Sequence, residues 1–569
     1  MKNKGYFYLL LAVLVFSTLP FLGLTNFNTK GEPREAIVAV SMLQSDNWVL
    51  PHNNGGEMAY KPPFFHWCIA AVSSITGGNV TEYTSRFPSA VSAILMLMAI
   101  FCFFAKRRNI ETAFIATLLA FTTFEVHRAI FACRVDMVLT ACIVGSLLCL
   151  YKWYEKGVVF NFKNIPWLAI LLMSCGTLTK GPVAIILPCG VMGLFLLLKR
   201  ENFWGVSIKL FLVAILSLII PFAWYYAAYQ QGGDDFLMLV KEENIDRFLG
   251  KMSYASHENH WTYNVMMLLL GLLPWTLLPI IALFFLRRSN TEPKSCEGKV
   301  KMLKVKMWIV KKLDALNNMD AYRLFSIISA VLIFVFYCIP KSKRGVYLLP
   351  VYPFIAYFIA EFIVWLKNNK QSPIKIYGWF IAVVSFISAI TLVALNLGII
   401  PDTIFEGRHA AQNIAFMNAL KGFHFILISV VLLAGSFIWI KFKNIYAILA
   451  TTIIIFISLD SVIQPAVLNV KSDKQIALEI QNMYPSEKID SYVGVEMLHF
   501  FTINFYNNDK IGVFNPDKAT DGLLLIGERD AENYLKNLSD LFNFKLVLNT
   551  HKKSCDTGQI IHLYRYHKK

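Results

Sequence analysis

Long apolar runs recur from residue 6 to residue 464, each bounded by short polar or basic stretches. Such a run crosses a hydrocarbon core of ~30 Å as a helix, because inside lipid only a helix or a closed barrel satisfies its own backbone. The runs are continuous rather than alternating, which argues against an outer-membrane barrel. Spans are expected at about 6–24, 88–105, 111–125, 137–153, 166–179, 182–198, 207–229, 263–286, 322–339, 345–366, 374–396, 423–440 and 444–464, about thirteen in all. Charged residues make up 16% of the chain, against roughly 25% in a soluble protein. The chain reads as a polytopic α-helical membrane protein.

The net charge of +17 does not point to nucleic acid, because the basic residues gather in clusters between apolar runs. With the N-terminus in the cytoplasm, the inner loops contain "KRR" (106–108), "KWYEK" (152–156), "KR" (199–200), the stretch 287–321 with nine Lys or Arg, "KNNK" (367–370) and "KFK" (441–443). That bias matches the positive-inside rule. It places the loops 25–87 and 230–262, and everything after 464, on the outer face. The ten cysteines are scattered, with no CxxC pair and so no disulfide framework or zinc-finger spacing. No small-residue cleavage site follows residues 6–24, so the first helix is read as retained.

Two domains are expected, a transmembrane domain over 1–464 and a small soluble α/β domain over 465–569. In the second, short strand-like segments ("IDSYVGV", "KIGVF", "GLLLIG", "FKLVL", "IIHLYRY") alternate with helical patterns such as "SDKQIALEIQNMY" and "DAENYLKNL".

The polar residues collect in the outer loops. "NTKGEPREAIVAV" (28–40) packs Lys30, Glu32, Arg34 and Glu35 into six residues. Pro33 suits a first helical turn, and Ile37, Val40, Met42 and Leu43 form an apolar stripe, so a short helix along the membrane surface is expected with Glu32 at its positively polarised start. The charges either face water or line a site. In "AYKPPFFHW" (59–67) two prolines fix the backbone around Lys61, which either binds a lipid phosphate or snorkels. In "FACRVDMVLT" Arg134 and Asp136 stand at a span's outer entrance, where ionisable groups are paired or used. "LTKGPVA" puts Lys180 at another outer turn. His257 and His260, three apart, either take a divalent metal with Glu258 or Glu243, or are surface histidines. "PKSKRGVYLLPVYP" sets Lys341, Lys343 and Arg344 on the outer side against the positive-inside bias, which fits anion binding.

In order, the motifs "GEPREA", "YKPPFFHW", "SRFPSA", "RVDM", "LTKGP", "ENIDRF", "HENHW", "GLLPW" and "SKRGVYLLPVYP" resemble the aminoarabinose transferase (ArnT)-like, dolichyl-phosphate-mannose–protein mannosyltransferase-like family of GT-C-fold membrane glycosyltransferases. The resemblance covers roughly residues 1–370. It implies inverting transfer of a sugar from a polyprenyl-phosphate (undecaprenyl-phosphate) donor to a lipid (lipid A-like) or protein acceptor, on the periplasmic face of a bacterial inner membrane. The expected partners are donor, acceptor and membrane lipids, the chain acting as a monomer without nucleic acid. It further implies Lys61, Arg247, Lys343 and Tyr347 as phosphate or substrate contacts, and Glu32, Asp136 and Arg34 as catalytic. No cofactor is required, with a divalent metal at His257 and His260 as an added option. The sequence departs from the family at Gly31, where a first Asp is usual, and at Tyr60, where Glu is usual before the lysine. Glu32 then takes the base role, with Arg34 orienting it or a substrate anion, or a phosphate acceptor needs no base. The alternative function is a flippase of lipid-linked sugars, which predicts ionisable groups deep in the spans and repeated halves; neither pattern is present in the sequence.

Overall fold

The structure is a computed structural model that describes all residues except 1, 60, 247–248, 250, 252–257, 287–318, 405, 407–409 and 496. The first ten helices are α1 (Lys2–Phe16), α2 (Pro33–Ser45), α3 (Phe64–Ile75), α4 (Glu82–Arg107), α5 (Ile110–Phe121), α6 (Phe124–Ile130), α7 (Val135–Glu155), α8 (Trp167–Lys180), α9 (Val183–Leu198) and α10 (Phe203–Lys241). Among the described residues nine helical stretches are long and apolar enough to cross a membrane, or ten if α5 and α6, bent by 68°, form one broken span. Each expected span falls on a helix. Those at 166–179 and 182–198 fall on the shorter α8 and α9, and that at 263–286 on the helix Thr262–Gly271 followed by Leu277–Leu286.

Large apolar side chains on α4, α5, α7 and α9 and on the helix Tyr352–Asn369 fill one continuous core. Phe104 and Tyr357 stack within it at 4.0 Å. The helices Ser372–Asn396 and Phe423–Phe442 meet where Gly378 leaves room for the Trp439 indole: a Cβ on Gly378 would stand 2.3 Å from the ring. α10 contains one residue off helical geometry, Gly233 (φ 58, ψ −145), a conformation that a side chain opposes. Beyond it the chain runs into a π-helical turn, Glu242–Asp246.

In the loop after α2 two short strands, β1 (His52–Asn53) and β2 (Glu57–Met58), pair antiparallel, and the last hundred residues hold a five-stranded sheet whose spatial order takes the second strand at the edge, then the first, third, fifth and fourth. Its strands are β3 (Ile489–Tyr492), β4 (Gly512–Val513), β5 (Asp521–Gly527), β6 (Phe542–Lys553) and β7 (Ile560–Lys568). β3 runs parallel to β4 and β5, and β7 antiparallel to β5 and β6. All five expected strand segments lie on these strands, and the helices Lys474–Met483 and Glu528–Asn537 match the expected helical patterns.

α2 forms as expected, with Pro33 in its first turn, and ends where Asp46 turns left-handed (φ 54). Its stripe, however, does not rest on lipid. Ile37 and Val40 pack with Phe65 and Ile69 of α3 and with Phe501 and Phe505 of the tail helix Phe501–Tyr506. The tail is fastened to this same loop by polar contacts. Ser41 Oγ donates to Asp509 (2.7 Å), the Asn54 amide donates to Asp509 (2.8 Å), and Tyr506 Oη donates to Glu82 (2.7 Å). An apolar face pairs equally well with a protein face or with acyl chains, and the stripe alone does not distinguish them.

Gly378→Ala is expected to lower stability by about 1–3 kcal/mol, the usual cost of overpacking. A lowered melting temperature of the detergent-solubilised protein checks it; an unchanged one contradicts close packing at Trp439.

Candidate active site

Two carboxylates three residues apart, Glu32 just ahead of α2 and Glu35 in its first turn, go to different cations. Glu32 is locked in place. Its Oε1 accepts from Arg86 Nε (2.8 Å) and the Cys133 amide (2.9 Å), and its Oε2 accepts from Arg86 Nη2 (3.0 Å). Arg86, itself 3% exposed, donates through Nη1 to the carbonyls of Leu22 (2.8 Å) and Thr25 (2.5 Å). Burial alone would raise the Glu32 carboxyl; the charge and hydrogen bonds of Arg86, with the Cys133 amide, bring it below the usual carboxylate range. Glu32 was expected as the acid/base, with Arg34 orienting it or a substrate anion; the structure shows what each of the two meets. A bidentate guanidinium occupies Glu32, while Arg34 Nη2 lies 3.5 Å from Glu35 Oε1.

Glu35 is the carboxylate that meets Lys61. Its Oε1 accepts from Lys61 Nζ (2.5 Å), and its Oε2 is 3.0 Å from His66 Nε2. His66 is 1% exposed, and its Nδ1 is buried without a hydrogen-bond partner. Burial opposes the Glu35 charge, but Lys61, His66 and Arg34 outweigh it and hold the carboxyl well below its usual range. On Lys61 burial and the Arg34 charge lower the ammonium, Glu35 restores part of the loss, and the pKa falls to about 8.

A second pair stands beside the first. Lys180, at the end of α8, is ion-paired with Asp136 in the first turn of α7. The same ammonium lies 4.3 Å from the Tyr347 ring centroid. The charge of Glu35 reaches Asp136, and that of Glu243 reaches Lys61. The turn after Lys180 is pressed against the π-helical segment: a Cβ on Gly181 would stand 2.8 Å from Asn244 Oδ1. Arg134 explains the departure at Gly31. A Cβ there would fall 1.8 Å from Arg134 Nη2, so the guanidinium occupies the space of the missing side chain.

Of the expected residues, Lys61, Asp136, Arg34 and Tyr347 thus come together at one end of the bundle, and Glu32 is turned to Arg86. Lys343, 5% exposed, donates through Nζ to the Pro340 carbonyl (2.5 Å). Arg247 and His257 lie outside the described residues. His260 is exposed, with Nδ1 3.0 Å from Thr262 Oγ1. Glu35, His66 and Lys180 are the members that sequence reasoning left without a role. The signal for Glu35 was present, since "GEPREA" and "YKPPFFHW" offer two carboxylates and "SRFPSA" offers a second cation, but the pairing is tertiary. A cavity of ≈ 460 Å³ opens nearby, lined by His52, Glu57, Met58, Asp235, Leu239 and Met497 among others. It joins the outer loop, α10 and the tail, and neither Lys61 nor Glu35 lines it.

Comparison with known proteins finds relatives for a multi-pass helical chain of this kind. Residues 60–226 match the family described as dolichyl-phosphate-mannose-protein mannosyltransferase. An uncharacterised protein of Aquifex aeolicus is 24% identical over 97% of this chain and 98% of its own. The undecaprenyl phosphate-alpha-4-amino-4-deoxy-L-arabinose arabinosyl transferase 2 of Proteus mirabilis is 24% identical over 64% of this chain and 61% of its own length, so that match spans less than two thirds of the relative. The crystal structure of ArnT from Cupriavidus metallidurans bound to undecaprenyl phosphate superposes with a TM-score of 0.69 at 18% identity, over 98% of both chains. The chain is thus similar in sequence to these transferases over part of its length, and it shares the fold of the ArnT structure.

The two carboxylates of α2 are expected to behave oppositely. Glu32→Ala leaves Arg86 buried and unpaired, a loss of about 3–5 kcal/mol, read as a collapse in folded yield by size-exclusion chromatography. Glu35→Gln keeps an acceptor oxygen for Lys61, whose side chain is 24% exposed, and so keeps the folded yield. Equal yields for the two variants contradict the assignment.

Proposed function

We propose that the chain transfers a sugar from an undecaprenyl-phosphate-class donor to a lipid or protein acceptor on the periplasmic face of a bacterial inner membrane, the N-terminus lying in the cytoplasm. The observation that carries this reading is the convergence of Glu35–Lys61 and Asp136–Lys180 from four outer-end segments. The acceptor oxygen attacks the anomeric carbon from the face opposite the phosphate, the carbon–oxygen bond to phosphate breaks, and the configuration inverts. The leaving phosphate gains charge, and the Lys61 and Lys180 ammoniums stabilise it where water is scarce. Before the donor arrives, Glu35 and Asp136 hold those ammoniums in position. Tyr347, under Lys180, fixes where that cation stands.

Glu35 takes the place first assigned to Glu32. For a hydroxyl acceptor it receives the proton as the new bond forms, once the donor phosphate has drawn Lys61 away and removed the charge that holds its carboxyl low; a phosphate acceptor, as on a lipid A-like molecule, brings its own anionic oxygen and needs no base. No resident cofactor enters this chemistry, since protein cations carry the phosphate charge. The relatives named as undecaprenyl phosphate-alpha-4-amino-4-deoxy-L-arabinose arabinosyl transferases support the donor class, and a lipid A-like glycolipid is the favoured acceptor because its phosphate needs no base.

The test is transfer in proteoliposomes with radiolabelled undecaprenyl-phosphate sugars and a membrane lipid extract. Label should move to a new lipid or protein with wild type and drop by about 10²–10³-fold with Lys61→Ala, the scale of losing one charge-stabilising donor. Carrier lipid crossing the bilayer without transfer would favour the flippase reading instead.

Donor binding is expected to depend on pH through Lys61. Its protonated form binds phosphate, so affinity holds below about 8 and falls as the pH rises through it. Lys61→Arg, always charged, should flatten the profile between pH 7 and 9. A profile unchanged by that substitution excludes Lys61 as the titrating group.

A further inference from the structure

Away from the site just described, three metal-ligating side chains meet in the tail. Asp473, ahead of the helix Lys474–Met483, and Cys555 and Asp556, in the turn between β6 and β7, each offer a ligand atom within 4.8 Å of the others. Asp473 is 0% and Asp556 6% exposed. Cys555 Sγ stands 3.4 Å from Asp473 Oδ2 and 4.0 Å from Asp556 Oδ1. A tetrahedral zinc with Zn–S of about 2.3 Å and Zn–O of about 2.0 Å sets sulfur and oxygen about 3.5 Å apart. The observed pair brackets that spacing.

The surroundings hold the three groups in place. Asp473 Oδ2 accepts from Ser554 Oγ (2.8 Å) and the Cys555 amide (3.0 Å). Asp556 accepts from the Thr502 amide (2.7 Å) and Thr502 Oγ1 (3.0 Å). Supports of this kind orient ligands at metal sites. One oxygen is left over: Asp473 Oδ1, on a fully buried side chain, has no hydrogen-bond partner. A buried carboxylate oxygen without a partner is costly unless something positive meets it. The nearby cations do not make that contact. Lys552 donates its Nζ to the Ser472 carbonyl (2.5 Å), and Lys30 acts on Asp556 only through its charge.

We propose that Asp473, Cys555 and Asp556 form a binding site for a divalent cation of the zinc class, separate from the transfer site. A thiolate with two carboxylates suits a borderline-soft ion such as Zn²⁺ better than Mg²⁺ or Ca²⁺, which take oxygen alone. The ion joins three parts of the tail that are distant in sequence: the start of Lys474–Met483, the β6–β7 turn and, through Asp556, the helix Phe501–Tyr506 that covers α2. It therefore acts as a structural clamp on the surface that positions Glu35.

The full-length protein in detergent, stripped with EDTA, is titrated with Zn²⁺ and separately with Co²⁺. One Zn²⁺ per chain should bind, and Co²⁺ should give a near-ultraviolet thiolate-to-cobalt charge-transfer band. Cys555→Ser should abolish the band, and Asp556→Asn should weaken Zn²⁺ binding by more than the 10–100-fold typical of outer-shell changes. Zn²⁺ should also slow maleimide labelling of Cys555 in the wild type at least tenfold, a readout that needs no variant to fold. A band that persists in Cys555→Ser, or labelling indifferent to Zn²⁺, overturns the proposal. Transfer activity enters none of these readouts, so the site stands or falls independently of the function proposed above.

Discussion

The bidentate pair between Arg86 and Glu32 fixes the start of α2, and the rest of that end of the bundle depends on that start. Arg86 comes from the first turns of α4, a long helix of the bundle, and ties down both Glu32 and the chain just before it through the carbonyls of Leu22 and Thr25. An ion pair this deeply enclosed contributes through what its loss would leave behind, an unpaired buried charge. With the first turn of α2 immobilised, Glu35 can face only the side on which Lys61 and His66 stand.

The candidate site is built from neutralised pairs. Lys61 with Glu35 and Lys180 with Asp136 are each close to electrically balanced, which lets charge sit where water is scarce. Such a pair is stable without ligand and, on the function proposed above, presents a cation to the donor phosphate. The tail belongs to the same device. Phe501 and Phe505 cover the apolar side of α2, while Asp509 and Tyr506 hold its polar edge and Glu82, so a change in the tail is felt one helix away from Lys61.

Much of this was legible in the chain. Apolar runs predicted the spans, because lipid enforces one backbone solution. Short alternating segments predicted all five strands of the tail. The order of the outer-loop motifs brought Lys61, Asp136 and Tyr347 into view together. Proximity in sequence does not give the pairing. "GEPREA" presents Glu32 beside Arg34, and adjacent opposite charges suggest a pair; in the fold Glu32 reaches a guanidinium fifty-four residues away and Arg34 turns to Glu35. The stripe on α2 does not give its partner either, since periodicity reports that a face is buried and not what buries it.

The sequence by itself determined that this chain is a helical membrane bundle with a small α/β tail and a set of ionisable groups in the loops between its spans, since hydropathy, alternation and loop charge are local properties of the chain. Only the tertiary structure decided which carboxylate meets which cation, why Gly31 lacks a side chain, and how Asp473 comes to stand beside Cys555 and Asp556. Those outcomes depend on contacts between residues tens to hundreds of positions apart, and the geometry of a guanidinium fork or a buried oxygen exists only once the helices have packed.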